Sequence, residues 1–237
     1  MEGFTYQDIF DTKGIEYIAI LIFFTLLIPF WLVLNRKFVS AKQPLQLPEG
    51  ITLSGLHIPK GVFHSINHCY AYLEKSGYAS LGADNLLIHF TGEVEFSALK
   101  KNGDVLQKGE AFAILRQGKK QIHLRSSVSG KVQMINEFLT YNPSLIQEDP
   151  YGKGWMIKVI PYDWVGDTSG YYYGNGTVQF IENEISRFRE FLSRHSFSQT
   201  MPVLMDGGVL KDQALRDFSP SVWDEFEITF LSKSEEK

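Results

Sequence analysis

The sequence predicts a mainly β domain set between one apolar N-terminal helix and an α+β C-terminal extension, and three observations predict it. Tyr17–Leu34 contains no charged side chain. From about residue 57 to 164 the chain runs in short alternating stretches separated by glycine turns, the signature of a small barrel or sandwich. After Trp164 the apolar spacing lengthens to that of an amphipathic helix.

In chain order, residues 1–16 form a short tail in which Glu2, Asp8, Asp11 and Glu16 outnumber Lys13. The run 17–34, as a helix rising ~1.5 Å per residue, reaches ~27 Å, close to the ~30 Å of a hydrocarbon core. Pro29 is tolerated inside a bilayer, Trp31 suits its interface, and Arg36, Lys37 and Lys42 follow. A cleaved signal peptide would carry its basic residues before the apolar run, which is the reverse of this order. The expectation is therefore a single-pass transmembrane helix in the cell membrane, with the N-terminus outside and the C-terminal domain cytoplasmic. Residues 35–56, with Pro44 and Pro48, read as a linker.

The domain 57–164 holds the strand candidates "CYAYLEK", "GEVEFSAL", "EAFAILR", "QIHLRSSV" and "KVQMI". Asn142 as N-cap and Pro143 at the first helical position predict a short helix that Asp149-Pro150 ends. In the extension, 165–237, Val178, Ile181, Ile185, Phe188 and Leu192 fall on one helical face, with Glu190 and Arg194 on the wet side. "PVLMDGGVL" predicts a hairpin, and "SPSVWDEFEITFL" either a helix opened by Ser219-Pro220 or a terminal strand.

Bulk composition narrows the function. With 23 basic against 27 acidic residues, the net charge of -4 argues against nucleic-acid binding, which needs a basic face. The single cysteine, Cys69, excludes an internal disulfide framework and multi-cysteine metal centres. His64, His68 and Cys69 in "HSINHC" are within metal-ligand spacing, but packed or solvated histidines are the commoner outcome, so no metal is expected. No nucleophile–base spacing, phosphate loop or carboxylate pair suggests catalysis, so the chain is expected not to be an enzyme.

At "GDVLQKGEAFAIL" and "SVSGKVQMINEFLTYNPSLIQEDPYGKGWMIKV" the chain resembles the glycine cleavage system H proteins, lipoyl carriers of the biotinyl/lipoyl domain superfamily. The likeness runs from about His68 to Pro161, and "EDPY" followed by "GKGW" is its most specific part. It implies a lipoyl-type β barrel-sandwich hybrid, with lipoate held covalently on Lys119 in "AILRQGKKQIHL". The turn composition agrees, because Gly118 supplies backbone freedom beside an exposed lysine. A carrier of this kind uses a tether to raise the local concentration of its dithiolane at each partner's active site.

Three positions depart from the pattern the resemblance implies. Arg116 stands where an acidic residue is usual, Lys120 where a small one follows the lysine, and His123 where an aspartate falls. With Arg125 they suggest a strongly basic tip. Biotin is disfavoured because neither neighbour of Lys119 is methionine. His68 aligns with a histidine that H proteins carry without metal. The expectation is a membrane-anchored carrier that presents a lipoyl arm on Lys119 to a cytoplasmic or membrane-bound redox or aminomethyl-transfer complex, after modification by a lipoyl ligase or transferase. The alternative is a non-lipoylated accessory or scaffold subunit of a membrane-bound complex.

Overall fold

The computed structural model describes residues 9–35, 50–51, 56–196 and 210–232. The chain divides into two compact units, Met1–Gln46 and Leu47–Lys237. The first contains helix α1 (Ile9–Asn35). Its described side chains are those of 17–18 and 20–31, and every large apolar one from Tyr17 to Trp31 is exposed. Among the described residues no helix is long and apolar enough to cross a membrane, so the fold does not establish the expected crossing at 17–34. The linker at 35–56 lies mostly outside the described residues.

The second unit begins with β1 (Gly50–Ile51), β2 (Phe63–His64), β3 (Cys69–Leu73) and β4 (Ala79–Ala83). Helix α2 (Asn85–Thr91) follows, opened by Asp84, whose carboxylate accepts the Leu87 N–H at 2.8 Å. Strands β5 (Glu95–Ala98), β6 (Val105–Leu106), β7 (Ala111–Gln117), β8 (Lys120–Arg125) and β9 (Gly130–Ile135) come next. One-turn helices α3 (Phe138–Tyr141) and α4 (Leu145–Glu148) precede β10 (Ile157–Pro161). The extension supplies α5 (Trp164–Thr168), α6 (Asn175–Ser196) and β11 (Leu210–Lys211). It ends in a 3-10 turn (Ala214–Asp217), α7 (Pro220–Phe226) and a π-helical turn (Glu227–Leu231).

The strands form a six-stranded antiparallel sheet in the order β2-β3-β4-β10-β9-β6, a three-stranded sheet β5-β7-β8, and the pair β1-β11. The fold is mainly β as expected, but the two larger sheets do not close into a barrel. Their facing side chains, including Leu81, Leu106, Phe112, Leu115, Ile122, Leu124, Val132 and Val159, are fully buried in one core.

That core continues without a break into the extension. Phe188, Phe191, Leu192, Trp223, Phe226 and Phe230 are all buried within it, and the Phe188 ring stacks on Phe90 of α2 at 3.7 Å. On α6 the buried face is Thr177, Phe180, Ile181, Glu184, Ile185, Phe188, Phe191 and Leu192. Val178, expected on that face, is 41% exposed, because Thr177 takes the inward position of the first turn. Residues 220–231 are helical, with Ser219 at the cap and Pro220 at the first position. The short helix expected from Asn142 starts later, at Leu145, and Asn142 instead ends α3, its N–H reaching the Phe138 carbonyl. The expected hairpin in 202–210 lies outside the described residues except for Leu210.

Candidate functional site

Strands β7 and β8 form a hairpin in which Gln117 pairs with Lys120, leaving Gly118 and Lys119 as its two-residue tip. Gly118 has φ +60°, while Lys119 is not among the non-glycine residues at positive φ. A glycine at the first central position followed by an ordinary second residue is the type II′ turn, whose twist matches the paired strands. Lys119 is exposed at this tip, and a side chain added at Gly118 would meet nothing within 4 Å.

Both residues flanking the tip are pinned. On the β7 side, the Gln117 side-chain amide donates to the carbonyls of Thr91 at 3.0 Å and Glu93 at 2.8 Å. On the β8 side, Lys120 Nζ donates to the Arg216 carbonyl at 2.5 Å and lies 5.1 Å from the Trp223 ring centroid. Burial against the extension lowers the pKa of the Lys120 amine from its ordinary range. Three residues further along, His123 N–H donates to Glu227 Oε2 at 3.1 Å, and its Nδ1 lies 3.0 Å from Glu227 Oε1. Among the described residues no contact holds the Lys119 amine, so of the two lysines it alone is free.

The basic tip is smaller than expected. Arg116 is exposed, but Glu95 stands directly opposite it across the β5–β7 pairing. Arg125 pairs with Ala111 at the far end of the hairpin, where its guanidinium donates to the Gly109 carbonyl at 3.2 Å. Beside the tip lies a cleft of about 390 Å³ walled by Glu93–Glu95, Arg116–Gly118 and Tyr141–Ser144.

The "EDPYGKGW" segment forms a tight turn that is tied to β3 and α2, with the Tyr70 hydroxyl donating to the Pro150 carbonyl at 2.8 Å. Asp149 accepts the N–H groups of Gly152 at 3.0 Å and Lys153 at 2.8 Å, folding the chain back on itself. At Gly154 a Cβ would lie 2.5 Å from the Leu145 carbonyl oxygen, so the turn requires glycine there. The Tyr151 hydroxyl accepts the Asn85 N–H at 3.0 Å, joining this turn to α2.

The candidate metal residues have other engagements. His68 Nδ1 lies 2.9 Å from Asp84, and Cys69 Sγ, with its thiol pKa pushed up to about 12 by burial, lies 3.6 Å from Ser127 Oγ. His64 Nδ1 faces the same carboxylate, 4.0 Å from Asp84 Oδ2 and beyond hydrogen-bond reach. Among the described residues no group of three or more histidine, cysteine or acidic side chains is placed to hold a metal ion.

Sequence reasoning missed the grips of Gln117 and Lys120 on the tip and the contact of Glu227 with His123. Each joins residues far apart in the chain. The available signal was the amphipathic spacing of Val222, Trp223 and Phe226, which marks a helix seeking a surface to cover.

A two-residue turn pinned on both sides that presents one free amine is an arrangement suited to a covalent carrier. A model of the glycine cleavage H-protein family matches residues 62–174. The glycine cleavage system H protein of Thermus thermophilus is 30% identical over 129 residues, which span 54% of this chain and 99% of that protein. That of Carboxydothermus hydrogenoformans is 34% identical over 102 residues, covering 43% of this chain and 78% of that protein. A crystal structure of a glycine cleavage system H protein from Mycobacterium marinum aligns with TM-score 0.41 at 24% identity, covering 44% of this chain and 87% of that one. The chain belongs to the glycine cleavage H-protein family. Proteins of this family carry lipoate covalently on a lysine and are carriers in glycine cleavage, not catalysts. Membership implies dealings with the glycine cleavage enzymes and a lipoyl ligase.

Proposed function

We propose that Lys119 is the lipoyl attachment site and that α1 holds the carrier at a membrane, where it serves a membrane-proximal redox or aminomethyl-transfer complex. The free amine at the tip of a pinned II′ turn carries the reading. The residues fit the group: Lys119 is exposed, the space over Gly118 is open, and Gln117 and Lys120 fix the base of the arm. Bound there, lipoate supplies a redox-active dithiolane that accepts and releases a carried group. The chain's own part is to keep the tip stiff, so that the arm's reach is set by the lysine and its attached group. Glu95 opposite Arg116 offsets one of the basic departures that distinguish this hairpin.

For the membrane part, support comes from the exposure of Tyr17, Leu21, Phe24, Ile28 and Trp31 at 58–66% and from the absence of charge across 17–34. The acidic tail before this run and Arg36, Lys37 and Lys42 after it favour a single pass with the carrier domain cytoplasmic. Confinement at a membrane favours one neighbouring complex over several diffusing enzymes.

Peptide mapping of protein isolated from its native cell tests the attachment site, with the mass of a lipoyl amide expected on Lys119. An unmodified Lys119 in cells with working lipoylation would leave the scaffold reading in its place. Alkaline extraction of membranes tests the anchor, because an integral protein stays in the pellet whereas a peripheral one is released.

A further inference from the structure

Two lysines stand side by side at the tip, and acyl transfer has no reason within the dipeptide itself to prefer one. In that step the lone pair of a neutral Nζ attacks the carbonyl carbon of an activated carboxylic acid, either an acyl phosphate-type anhydride or a thioester. A C–N amide bond forms, the C–O or C–S bond to the activating group breaks with its electron pair, and the amine proton passes to solvent. The acceptor therefore needs a nitrogen that can lose its proton and be approached along its lone pair.

Lys120 meets the first condition more readily than an ordinary lysine, since burial lowers its pKa. Acidity thus gives it no protection, and any protection must be geometric. Its Nζ is 2.5 Å from the Arg216 carbonyl oxygen, with the Trp223 ring centroid 5.1 Å away on another side. Neither group is loose. Trp223 is fully buried, and its Nε1 donates to the Leu215 carbonyl at 2.8 Å. The 3-10 turn bearing Arg216 is tied down at both ends. Gln213 N–H donates to the His89 carbonyl at 2.7 Å, and Lys211 Nζ pairs with Asp217 at 2.6 Å. To meet an acyl donor, Lys120 must give up a charge-assisted hydrogen bond and a cation–π contact together.

We infer that the C-terminal extension is a site-selectivity element, which holds the Lys120 amine against the Arg216 carbonyl and the Trp223 ring and leaves Lys119 as the acylatable amine of the pair. Lys120 and Trp223 are in this sense positioning residues for the modification of Lys119. The inference rests on the reading of Lys119 as the attachment site, but the protection of Lys120 is a property of the folded chain that can be measured without any ligase.

The experiment treats the full-length protein in detergent micelles with a trace of N-hydroxysuccinimidyl acetate and quantifies acetylation at each lysine by peptide mass spectrometry. It is run once on native protein and once in concentrated guanidinium chloride. In the denatured chain the two neighbours should react within about twofold of each other, and in the native protein Lys120 should lag Lys119 by about tenfold or more. Native rates within about twofold would overturn the inference. Trp223→Leu, with folding checked by circular dichroism, should raise the native Lys120 rate toward that of Lys119. If that variant does not fold, the native-to-denatured comparison on the unaltered chain decides alone. The two readings fail separately: a bare Lys119 in cells sinks the carrier, whereas equal native rates sink the selectivity element.

Discussion

His68 of the β domain and Glu184 of helix α6 face each other in the protein interior, with Nε2 3.6 Å from Oε2, while the other ring nitrogen of His68 lies 2.9 Å from Asp84. The histidine is thus held between two carboxylates from different halves of the unit. Glu184 in turn receives Arg187 Nη1 at 2.5 Å, and Arg187 Nη2 donates to the Thr229 carbonyl at 3.1 Å. One charge chain runs from Asp84 through the ring to the π-helical turn.

This chain has a pH signature. Burial alone would lower the pKa of His68, but the Asp84 carboxylate beside it, reinforced by Glu184, raises it from 6.5 to about 9. Asp84 is held below the usual carboxylate range, because the His68 charge and hydrogen bonds outweigh its burial. A histidine raised in the folded state contributes stability that is complete below pH 6.5 and is lost as pH rises through about 9. The whole effect is roughly 3 kcal/mol. Thermal unfolding from about pH 6 to about 9.5 should show a decline that becomes shallower but persists in Glu184→Gln, because Asp84 remains beside the ring. The substitution should itself cost roughly 2 kcal/mol near neutrality. A profile unchanged by that substitution would contradict the role given to the pair.

Much of the β domain was legible because strand signals are local. Alternation in "AFAILRQGKKQIHLR" and the single glycine in its turn place the hairpin and Lys119 without tertiary knowledge. The short helix α2 was not anticipated. Its N-cap, Asp84, sits within a run of apolar residues that also suits a strand, and seven residues are too few to show a helical period. What lies around the tip was illegible for another reason. Gln117, Lys120 and His123 read as ordinary polar hairpin residues until the extension folds against them. Arg125 was drawn to the tip by sequence proximity, yet extended strands carry it away at ~3.4 Å per residue.

Gly118 is the position at which the tip is most sensitive to substitution. Its φ of +60° is unfavourable for a residue with a Cβ, and nothing lies within 4 Å to add a steric clash. Gly118→Val should therefore destabilise through backbone strain alone, by about 1–3 kcal/mol in denaturant titration. Lipoylation at Lys119 should fall as well, since the amine is displaced from its turn. A neutral effect on stability would mean that the II′ geometry does not persist in solution.

Lys119→Arg separates function from fold. The exposed side chain makes no hydrogen bond, ion pair or ring contact among the described residues, so the change should leave stability within about 0.5 kcal/mol. A guanidinium is not an acyl acceptor at neutral pH, and attachment of lipoate should be lost completely. Residual lipoylation of this variant, mapped to another lysine, would relocate the attachment site.

Gln117→Ala tests whether the tip is stiff because it is pinned. The lost amide makes two hydrogen bonds, to the carbonyl of Thr91 at the end of α2 and to that of Glu93 on the connection into β5. Removal should cost about 1–2 kcal/mol, and hydrogen exchange at residues 116–121 should accelerate while β9 and β10 stay protected. Acceleration spread evenly over the unit would point to global destabilisation instead.

Phe188→Ala examines the joint between the β domain and its extension. The ring is fully buried, stacked at 3.7 Å on Phe90 and packed edge-on to Phe226 at 5.7 Å and Phe230 at 6.0 Å. Truncation should cost about 3–5 kcal/mol, the range for a buried aromatic whose cavity cannot collapse. Because α2, α6 and the π-helical turn meet on this one side chain, the loss should appear as a single cooperative transition at lower denaturant. If α6 and α7 instead melted first and left the sheets folded, the extension would be a separable attachment. Lys120 would then be released along with it, and the selectivity drawn from its contacts would depend on conditions that keep the extension docked.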